Sequence, residues 1–295
     1  MKPSIGMKKV LLFGGTGNLG KEIAKCLAQG GYDFTTVVRN QQSAKKLETI
    51  TNKFVTADVT SPTALHNIFR GFDVVISALG KSVSPNDNSK PTFHDIDLAA
   101  NSIILEEAKK SGINKFVYIS AFHAERYLHL DYFSAHHHFS EKLKQSGIDY
   151  SIIKPPALFS AFLDVIQMAQ KGRLVHIGAG DKKTNPIYEG DLAAIAVGSI
   201  HKQNAVIEAG GSDIHTRKQL NEIIQAEVNP GKKIMSVPLG LVTFFLPLLK
   251  LTNKNMYDKF AFFVTVMQYD TVAPQAGTTG FDAYVKAMAV FNKKS

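Results

Sequence analysis

Short apolar runs alternate with amphipathic stretches along the first half of the chain. Residues 9–13 form one such run, and a glycine cluster follows it. Leu19, Ile23 and Leu27 then recur at four-residue spacing, so this order predicts strand, tight turn and helix. The same reading predicts strands at 33–38, 54–57, 73–77, 115–120 and 149–153, and helices at 62–69, 93–110 and 132–145. Continuous apolar strands between helices are typical of a parallel sheet buried on both faces, so the pattern predicts an α/β fold.

The alternation becomes irregular after Pro155 and Pro156. Short helices are predicted at 192–200 and 218–227, strand pieces at 174–177 and 205–209, and apolar segments surround Phe244 and Phe262. We expect this half to complete the sheet and then to form a smaller lobe that faces the substrate. The expected organisation is a core over residues 1–156 and a sheet-completing, substrate-facing part over residues 157–295, within one compact unit.

Composition narrows the class of protein. The 295 residues include a single cysteine, Cys26, which excludes an internal disulfide framework and predicts a reducing, cytoplasmic compartment. No apolar run reaches the roughly 18 residues that a membrane span needs. The formal net charge of +9 suits anionic ligands, but its cations are spread along the chain, so no nucleic-acid partner is expected.

The glycine cluster has the residue types that hold a dinucleotide. In such a turn Gly14 permits the tight bend, Gly17 lets the backbone approach a pyrophosphate, and Gly20 lets the helix pack near the strand. The helix start supplies N–H groups to the anion. The predicted phosphate-binding turn consists of Gly14, Gly15, Thr16, Gly17, Asn18, Leu19 and Gly20.

The end of the second predicted strand indicates which coenzyme is preferred. An acidic residue there would hold the ribose 2′-hydroxyl of NAD, whereas an arginine accommodates a 2′-phosphate. This chain has Arg39 followed by Asn40, with Lys45 and Lys46 nearby. NADP(H) is therefore favoured over NAD(H), although a solvated arginine after a strand is the alternative.

Two further strand ends supply candidate cofactor contacts. The carboxyl ends of parallel strands face the ligand crevice, so residues just beyond them are expected near the adenine and ribose. Asp58 and Val59 follow the third predicted strand, and Ala78, Leu79 and Gly80 follow the fourth.

These motifs together resemble the short-chain dehydrogenase/reductase superfamily, in particular its atypical, NmrA-like branch with the isoflavone-reductase-like enzymes. The resemblance rests on residues 14–20, 38–39, 57–59, 75–80, 117–120, 147–156 (GIDYSIIKPP) and 185–193 (NPIYEGDLA). It implies a Rossmann-type doubly wound parallel sheet, NAD(P) bound at the strand ends, and a smaller C-terminal substrate-facing lobe. Pro155 belongs to the expected cofactor site.

The resemblance also implies a catalytic set. The family commonly places Ser or Thr at the end of the fifth strand, and Tyr with a Lys four residues later on the next helix. Ser120 and Tyr132 match, but His136 stands where the lysine is expected. In an alternative register, His138 and Lys142 lie on one helical face.

A reductase needs an acid that donates a proton to the anion left by hydride transfer, and Tyr132 is the candidate, with Ser120 as the polarising donor. A phenol of pKa about 10 needs a nearby cation for this task near neutrality. His136 supplies one only when protonated, and otherwise it can hold the nicotinamide ribose. Consecutive histidines point to different sides of a helix, so no metal site is expected.

Three hypotheses follow. The first is an NADP(H)-dependent oxidoreductase that reduces a small, largely apolar carbonyl or enone-like compound, and the missing lysine favours the second, a non-catalytic NADP(H)-binding sensor or scaffold. The third is an epimerase-like isomerase, which would use the same residues. Peripheral membrane contact through residues 244–251, with Lys250 and Lys254, is an alternative use of the apolar segment. The protein is expected to be a monomer or a homodimer. Asp191 is expected to cap the helix that begins near Leu192.

Overall fold

A seven-stranded parallel sheet forms the centre of the molecule. The structure is a computed structural model that describes residues 8–292. Its strands are β1 (Val10–Phe13), β2 (Phe34–Val38), β3 (Phe54–Thr56), β4 (Val74–Ser77), β5 (Lys115–Ile119), β6 (Asp149–Lys154), β7 (Val175–Ile177), β8 (Lys183–Thr184), β9 (Ala205–Glu208), β10 (His215–Thr216) and β11 (Met235–Val237). The main sheet has the order β3-β2-β1-β4-β5-β6-β9. The short strands form two separate pairs, β10 with β8 and β11 with β7.

Helices connect the strands and build the second half. They are α1 (Asn18–Gln29), α2 (Gln41–Ala44), α3 (Pro62–Leu65), α4 (Asn101–Lys110), α5 (Asp131–Lys144), α6 (Leu163–Gln170), α7 (Glu189–Gly198), α8 (Arg217–Val228), α9 (Leu239–Thr252), α10 (Lys254–Val266) and α11 (Phe281–Asn292). A π-helix, His94–Ala100, leads directly into α4, and 3₁₀ turns occur at Lys45–Leu47, Ala124–Arg126, Phe159–Phe162 and Ser199–His201. No helix of residues 8–292 is both long and apolar enough to cross a bilayer.

Both faces of the sheet are buried. On one face, Ile23 of α1 and Leu192 of α7 pack against the alternate residues Val10 and Leu12 of β1. On the other face, α4 and α5 cover the remaining alternate positions of β1, including Leu11. The predicted Rossmann-type, doubly wound parallel sheet is confirmed, and β9 shows that the second half of the chain completes it.

A smaller apolar cluster lies in the C-terminal part. Phe159 contacts Phe281 edge to face, with ring centroids 5.2 Å apart, and α6, α8 and α11 contribute the other side chains. Phe159 is fully buried and is thus a core residue of this lobe.

Two predicted helices differ in the structure. The helix expected at 62–69 ends at Leu65, because His66 has a non-helical ψ of 131° and Asn67 then adopts the left-handed conformation with φ of 69°. The helix expected at 93–110 is regular only from Asn101. The Asn101 side-chain amide donates to the carbonyls of Ile96 and Asp97, 3.2 Å from each, at the end of the widened π-helical turn.

The prediction that Asp191 caps α7 is wrong. The helix begins at Glu189, with no side-chain cap at Tyr188, so Asp191 lies inside the first turn. Its carboxylate instead accepts the N–H groups of Thr278 and Thr279, each at 2.8 Å. Asp191 therefore joins α7 to the loop before α11, a contact between residues too distant in sequence for a local capping pattern to predict.

Candidate functional site

The glycine turn joins β1 to α1 beside the end of β4. Gly14 has φ of 75°, and a Cβ built on it would lie 2.5 Å from the Ala78 carbonyl group. A Cβ on Gly20 would lie 2.1 Å from the Gly14 carbonyl oxygen. These two glycines therefore permit contacts between backbone segments that no larger residue would allow.

Gly17 differs from its neighbours because open space surrounds it. Its nearest potential Cβ contact is the Gly14 oxygen at 3.5 Å, and the residue is exposed. Gly17 is the N-cap of α1, and the cap has no side-chain hydrogen bond. The first N–H groups of α1, at Asn18 and Leu19, thus face a site where an anion is favoured.

Some of the remaining turn residues are buried in the core, and others are accessible to solvent. Gly15 is buried, and a Cβ on it would lie 2.4 Å from Thr36 Cγ2 of β2. Leu19 belongs to the apolar core on that face, whereas Thr16 is half-buried and Asn18 is exposed. The turn lies between β1 and β4, where the strand order reverses, which is the position of the ligand crevice in doubly wound sheets.

The end of β2 carries an exposed cation. Arg39 follows Val38 directly and is exposed. The pKa of Asp58, at the neighbouring strand end, is lowered mainly by the hydrogen bond that Asp58 accepts from the Thr60 hydroxyl, and Arg39 contributes a smaller part. Asn40 accepts from Ser43 N–H at 2.9 Å and so caps α2, so its side chain is already bonded within the protein. Val59 packs against the core under β3.

The end of β4 is held by a buried asparagine. Asn101 accepts a 2.6 Å hydrogen bond from the Ser77 hydroxyl and donates to the Leu79 carbonyl at 3.2 Å. Gly80 follows, and a Cβ on it would lie 2.9 Å from Asp97 Oδ1. Ala78, Leu79 and Gly80 are thereby fixed beside the glycine turn.

Tyr132 lies in an aromatic environment near the start of α5. Its ring centroid is 5.4 Å from that of Phe93, 4.7 Å from that of Phe262 on α10, and 4.6 Å from that of His136. The residue is half-buried. Pro155, at the end of β6, is buried, and its carbonyl accepts the Phe122 N–H at 3.0 Å.

The other two predicted catalytic residues have buried partners. His136 Nδ1 is 2.7 Å from the Tyr118 hydroxyl, and its Nε2 is 3.4 Å from Asp97 Oδ1. Ser120 Oγ is 3.1 Å from Ser140 Oγ. The structure therefore brings Tyr132 and His136 into contact, but it hydrogen-bonds Ser120 and His136 to residues of the interior.

The lysine of α5 lies away from Tyr132. Lys142 Nζ is 3.3 Å from the Glu106 carboxylate on α4, and both side chains are largely exposed. His138 Nδ1 is 2.7 Å from the Ser134 carbonyl oxygen. Ten residues separate Tyr132 from Lys142, about 15 Å along the helix axis, so the alternative register places no cation next to the phenol.

Comparison with known proteins decides the family. The sequence profile described as NAD(P)H-binding matches residues 14–203, from the glycine turn to the segment before β9. The chain belongs to the NAD(P)H-binding family. This confirms the predicted class of coenzyme, and it agrees with the position of the glycine turn beside the ends of β1 and β4.

Individual members of the family and its structural neighbours differ in function. The chain is 25% identical over 241 residues to the photosystem II assembly factor Ycf39 of Guillardia theta, covering 80% of this chain and 75% of that protein. It is 28% identical over 265 residues to the chloroplastic divinyl chlorophyllide a 8-vinyl-reductase of Arabidopsis thaliana, covering 81% of this chain and 62% of the reductase. The NADPH complex of the Escherichia coli quinone oxidoreductase QOR2 has the same fold, with a TM-score of 0.72, 20% identity, and coverage of 95% and 99% of the two chains.

Burial favours the uncharged forms of the two titratable residues near Tyr132, Asp97 and His136. It raises the pKa of Asp97 to about 8 and lowers that of His136 to about 3. It also raises the pKa of the Tyr132 phenol, and Asp97 adds to this shift. At neutral pH His136 is therefore an uncharged hydrogen-bonding residue, and the cation expected from the family pattern is not supplied by it.

Sequence reasoning did not find Asp97 or Tyr118. Asp97 lies in a helix that otherwise reads as an ordinary amphipathic segment, and Tyr118 occupies an apolar strand position. The sequence offered only a weak signal, which is that Asp97 precedes Asn101 by four residues and so lies on the same side of a helix. The catalytic roles of Tyr132, Ser120 and His136 stay predictions.

Proposed function

We propose that this protein is an NADP(H)-dependent oxidoreductase that reduces a small, largely apolar carbonyl or enone-like compound. The observation that carries the proposal is the uncapped helix start at Gly17 together with the exposed Arg39 at the end of β2. N–H groups at the helix start suit the pyrophosphate, and a guanidinium suits a 2′-phosphate. The reductase relative and the NADPH-bound structural neighbour support this class of activity.

Tyr132 is the residue that we propose as proton donor. The bound coenzyme would supply the hydride, and the raised pKa of Tyr132 keeps the phenol protonated until an anion forms beside it. Phe93 and Phe262 against the Tyr132 ring form an apolar wall, which favours an apolar substrate. Both nitrogens of His136 face buried partners, so we propose that it positions the Tyr132 ring.

A second candidate is a non-catalytic NADP(H)-binding scaffold. The observation that favours it is the uncharged state of His136 beside Tyr132, because the phenol then has no neighbouring cation to assist proton transfer. The assembly factor among the relatives supports this class of function. Binding and turnover must therefore be measured separately.

Coenzyme choice is tested by calorimetric titration with NADPH and NADH. We expect wild-type protein to bind NADPH more tightly, and Arg39→Gln to lose at least tenfold in NADPH affinity with NADH affinity unchanged. Arg70→Gln is the matched control, since Arg70 is exposed and precedes β4 at the opposite end of the sheet. Equal NADPH affinity in Arg39→Gln and wild type would contradict the assignment of Arg39.

Turnover is followed at the NADPH absorbance with quinones, enones and aldehydes. We expect Tyr132→Phe to lower kcat by roughly 100-fold or more while the Kd for NADPH is unchanged, as for loss of a general acid. Tight NADPH binding without turnover of any compound would favour the scaffold. Unchanged turnover in Tyr132→Phe would show that another group donates the proton.

A further inference from the structure

Helix α9 exposes large apolar side chains to an unusual extent. Leu241, Phe244, Phe245, Leu248 and Leu251 are 52, 75, 51, 60 and 85% exposed. They recur at intervals of three and four residues, so they share one side of the helix, which we call the outer stripe. A contiguous apolar surface of this kind marks an interaction site more often than ordinary surface.

The opposite side of α9 already has a partner. The helix packs against α10, and Leu239, Val242, Leu246 and Leu249 are half-buried. Folding of the lobe therefore does not account for the outer stripe, which is apolar in addition to the side that α10 covers. Only a second partner would remove the apolar side chains of the outer stripe from water.

The chain segment that contains α9 has basic but no acidic residues. Residues 228–257 contain no Asp or Glu, whereas Lys232, Lys233, Lys250 and Lys254 are all within them. Lys254 is neutralised by Asp131 and Asp258. Lys250 lies over the Tyr257 ring, 5.4 Å from its centroid, and it is exposed, as are Lys232 and Lys233. A partner that covers the outer stripe and also supplies negative charge is therefore complementary to this segment of the chain.

We propose that α9 binds the surface of an anionic lipid bilayer, with the outer stripe at the boundary between headgroups and acyl chains. A 14-residue helix is too short to span a bilayer but suits binding in the plane of the interface. Phe and Leu enter the apolar layer, while lysines contact anionic headgroups. The proposal concerns where the protein binds and is independent of its reaction.

A second copy of this chain fits the surface less well. A symmetric dimer through the outer stripe would bring two copies of the same lysine-rich segment, residues 228–257, towards each other. That segment has no carboxylate to pair with its lysines. An anionic bilayer satisfies both the apolar and the electrostatic requirement at once.

Tryptophan fluorescence gives a direct test, because the chain contains no tryptophan. Phe244→Trp places a single reporter on the outer stripe, and Val206→Trp, at a 45% exposed position of β9, is the matched control. With vesicles of phosphatidylcholine containing phosphatidylglycerol, we expect a blue shift and quenching by brominated acyl chains for Phe244→Trp alone. With phosphatidylcholine alone, we expect both signals to be at least tenfold weaker at the same lipid concentration.

Cosedimentation of the full chain with the same vesicles tests the contributing groups. We expect Phe244→Glu/Leu248→Glu to lower the partition coefficient at least tenfold, and Lys232→Gln/Lys233→Gln to lower it on anionic vesicles only. Val206→Glu should bind as wild type does. All variants should keep the wild-type melting temperature and NADPH titration, because none of these positions lies in the core or at the strand ends.

Two outcomes would overturn the proposal. One is wild-type protein that does not bind anionic vesicles while it is folded and binds NADPH. The other is self-association, measured by sedimentation velocity, that Phe244→Glu/Leu248→Glu abolishes in the absence of vesicle binding, which would assign the outer stripe to a second copy.

Discussion

Single glycines in the β1–α1 turn have separable roles. Gly17→Ala places its methyl group in open space at an allowed φ of −75°, so we expect folding to be unaffected. The methyl group would stand between the helix N–H groups and a pyrophosphate, so NADPH affinity should fall at least tenfold. The melting temperature and the calorimetric Kd measure the two effects independently.

Gly20→Ala is expected to have the opposite effect, a loss of stability. Its methyl group would overlap the Gly14 carbonyl oxygen at 2.1 Å, and the backbone must shift to relieve the overlap. We expect a loss of about 1–3 kcal/mol in the free energy of unfolding. A stable Gly17→Ala variant with wild-type NADPH affinity would argue against pyrophosphate binding at Gly17.

Residues with local signatures were predictable from sequence, and residues with distant partners were not. The glycine turn and Arg39 are read from neighbours within a few positions, so their placement at the ends of β1 and β2 followed from the pattern. His136 was assigned to the ribose because it stands where the resembled family places its lysine, four residues after the tyrosine. Its contacts to Tyr118 and Asp97 depend on how β5, α5 and the π-helix pack, and no local pattern encodes that.

At the scale of elements, the π-helix is the feature with the clearest energetic consequence. Asn101 is fully buried and bonds to Ser77, Leu79, Ile96 and Asp97. Asn101→Ala would leave a hydroxyl and several carbonyls without that partner, so we expect a loss of about 3 kcal/mol in the free energy of unfolding, measured by urea denaturation.

Weaker NADPH binding should accompany that loss, because Asn101 also fixes the backbone of residues 78–80. Asn52→Ala, at an exposed loop position, should change the stability by less than about 0.5 kcal/mol. If Asn101→Ala were as stable as Asn52→Ala, the side chain would not be what holds the end of β4.

Whether a segment is a helix or a strand was easier to predict than where a helix ends or departs from α-helical geometry. The strands of the main sheet were found because each is a short apolar run between helices. The shortened α3 and the π-helix were missed because their cause lies in single asparagines, Asn67 and Asn101, that have ordinary helical neighbours. At Asn101, a side chain that bonds to backbone carbonyls overrides the hydrophobic period.

The stability of the whole molecule should depend on pH through the Asp97–His136 pair. The pKa of Asp97 rises from 3.8 to about 8 on folding, so the free energy of unfolding falls as pH rises between these values. The pKa of His136 falls from 6.5 to about 3, so its contribution is lost only as pH drops below 6.5. Of these two groups, only Asp97 therefore destabilises the fold as pH increases between 6.5 and 8.

Urea denaturation across that range tests the assignment. Relative to Asp97→Asn, wild-type protein should lose up to about 1.4 kcal/mol of unfolding free energy per pH unit between pH 6.5 and 8. Asp95→Asn is the matched control, because the pKa of Asp95 is lowered and its carboxylate is ionised in both states throughout this range. Parallel profiles for wild type and Asp97→Asn would show that Asp97 is ionised in the folded protein.

The pairing of β6 with β9 has a consequence for biosynthesis. β6 ends at Lys154, and its outer neighbour ends only at Glu208. At a translation rate of 5–20 residues per second, the edge of β6 stays uncovered on the nascent chain for roughly 3–10 s. During that interval an unpaired strand edge emerges from the ribosome, and a chaperone that shields it would protect the growing polypeptide from aggregation.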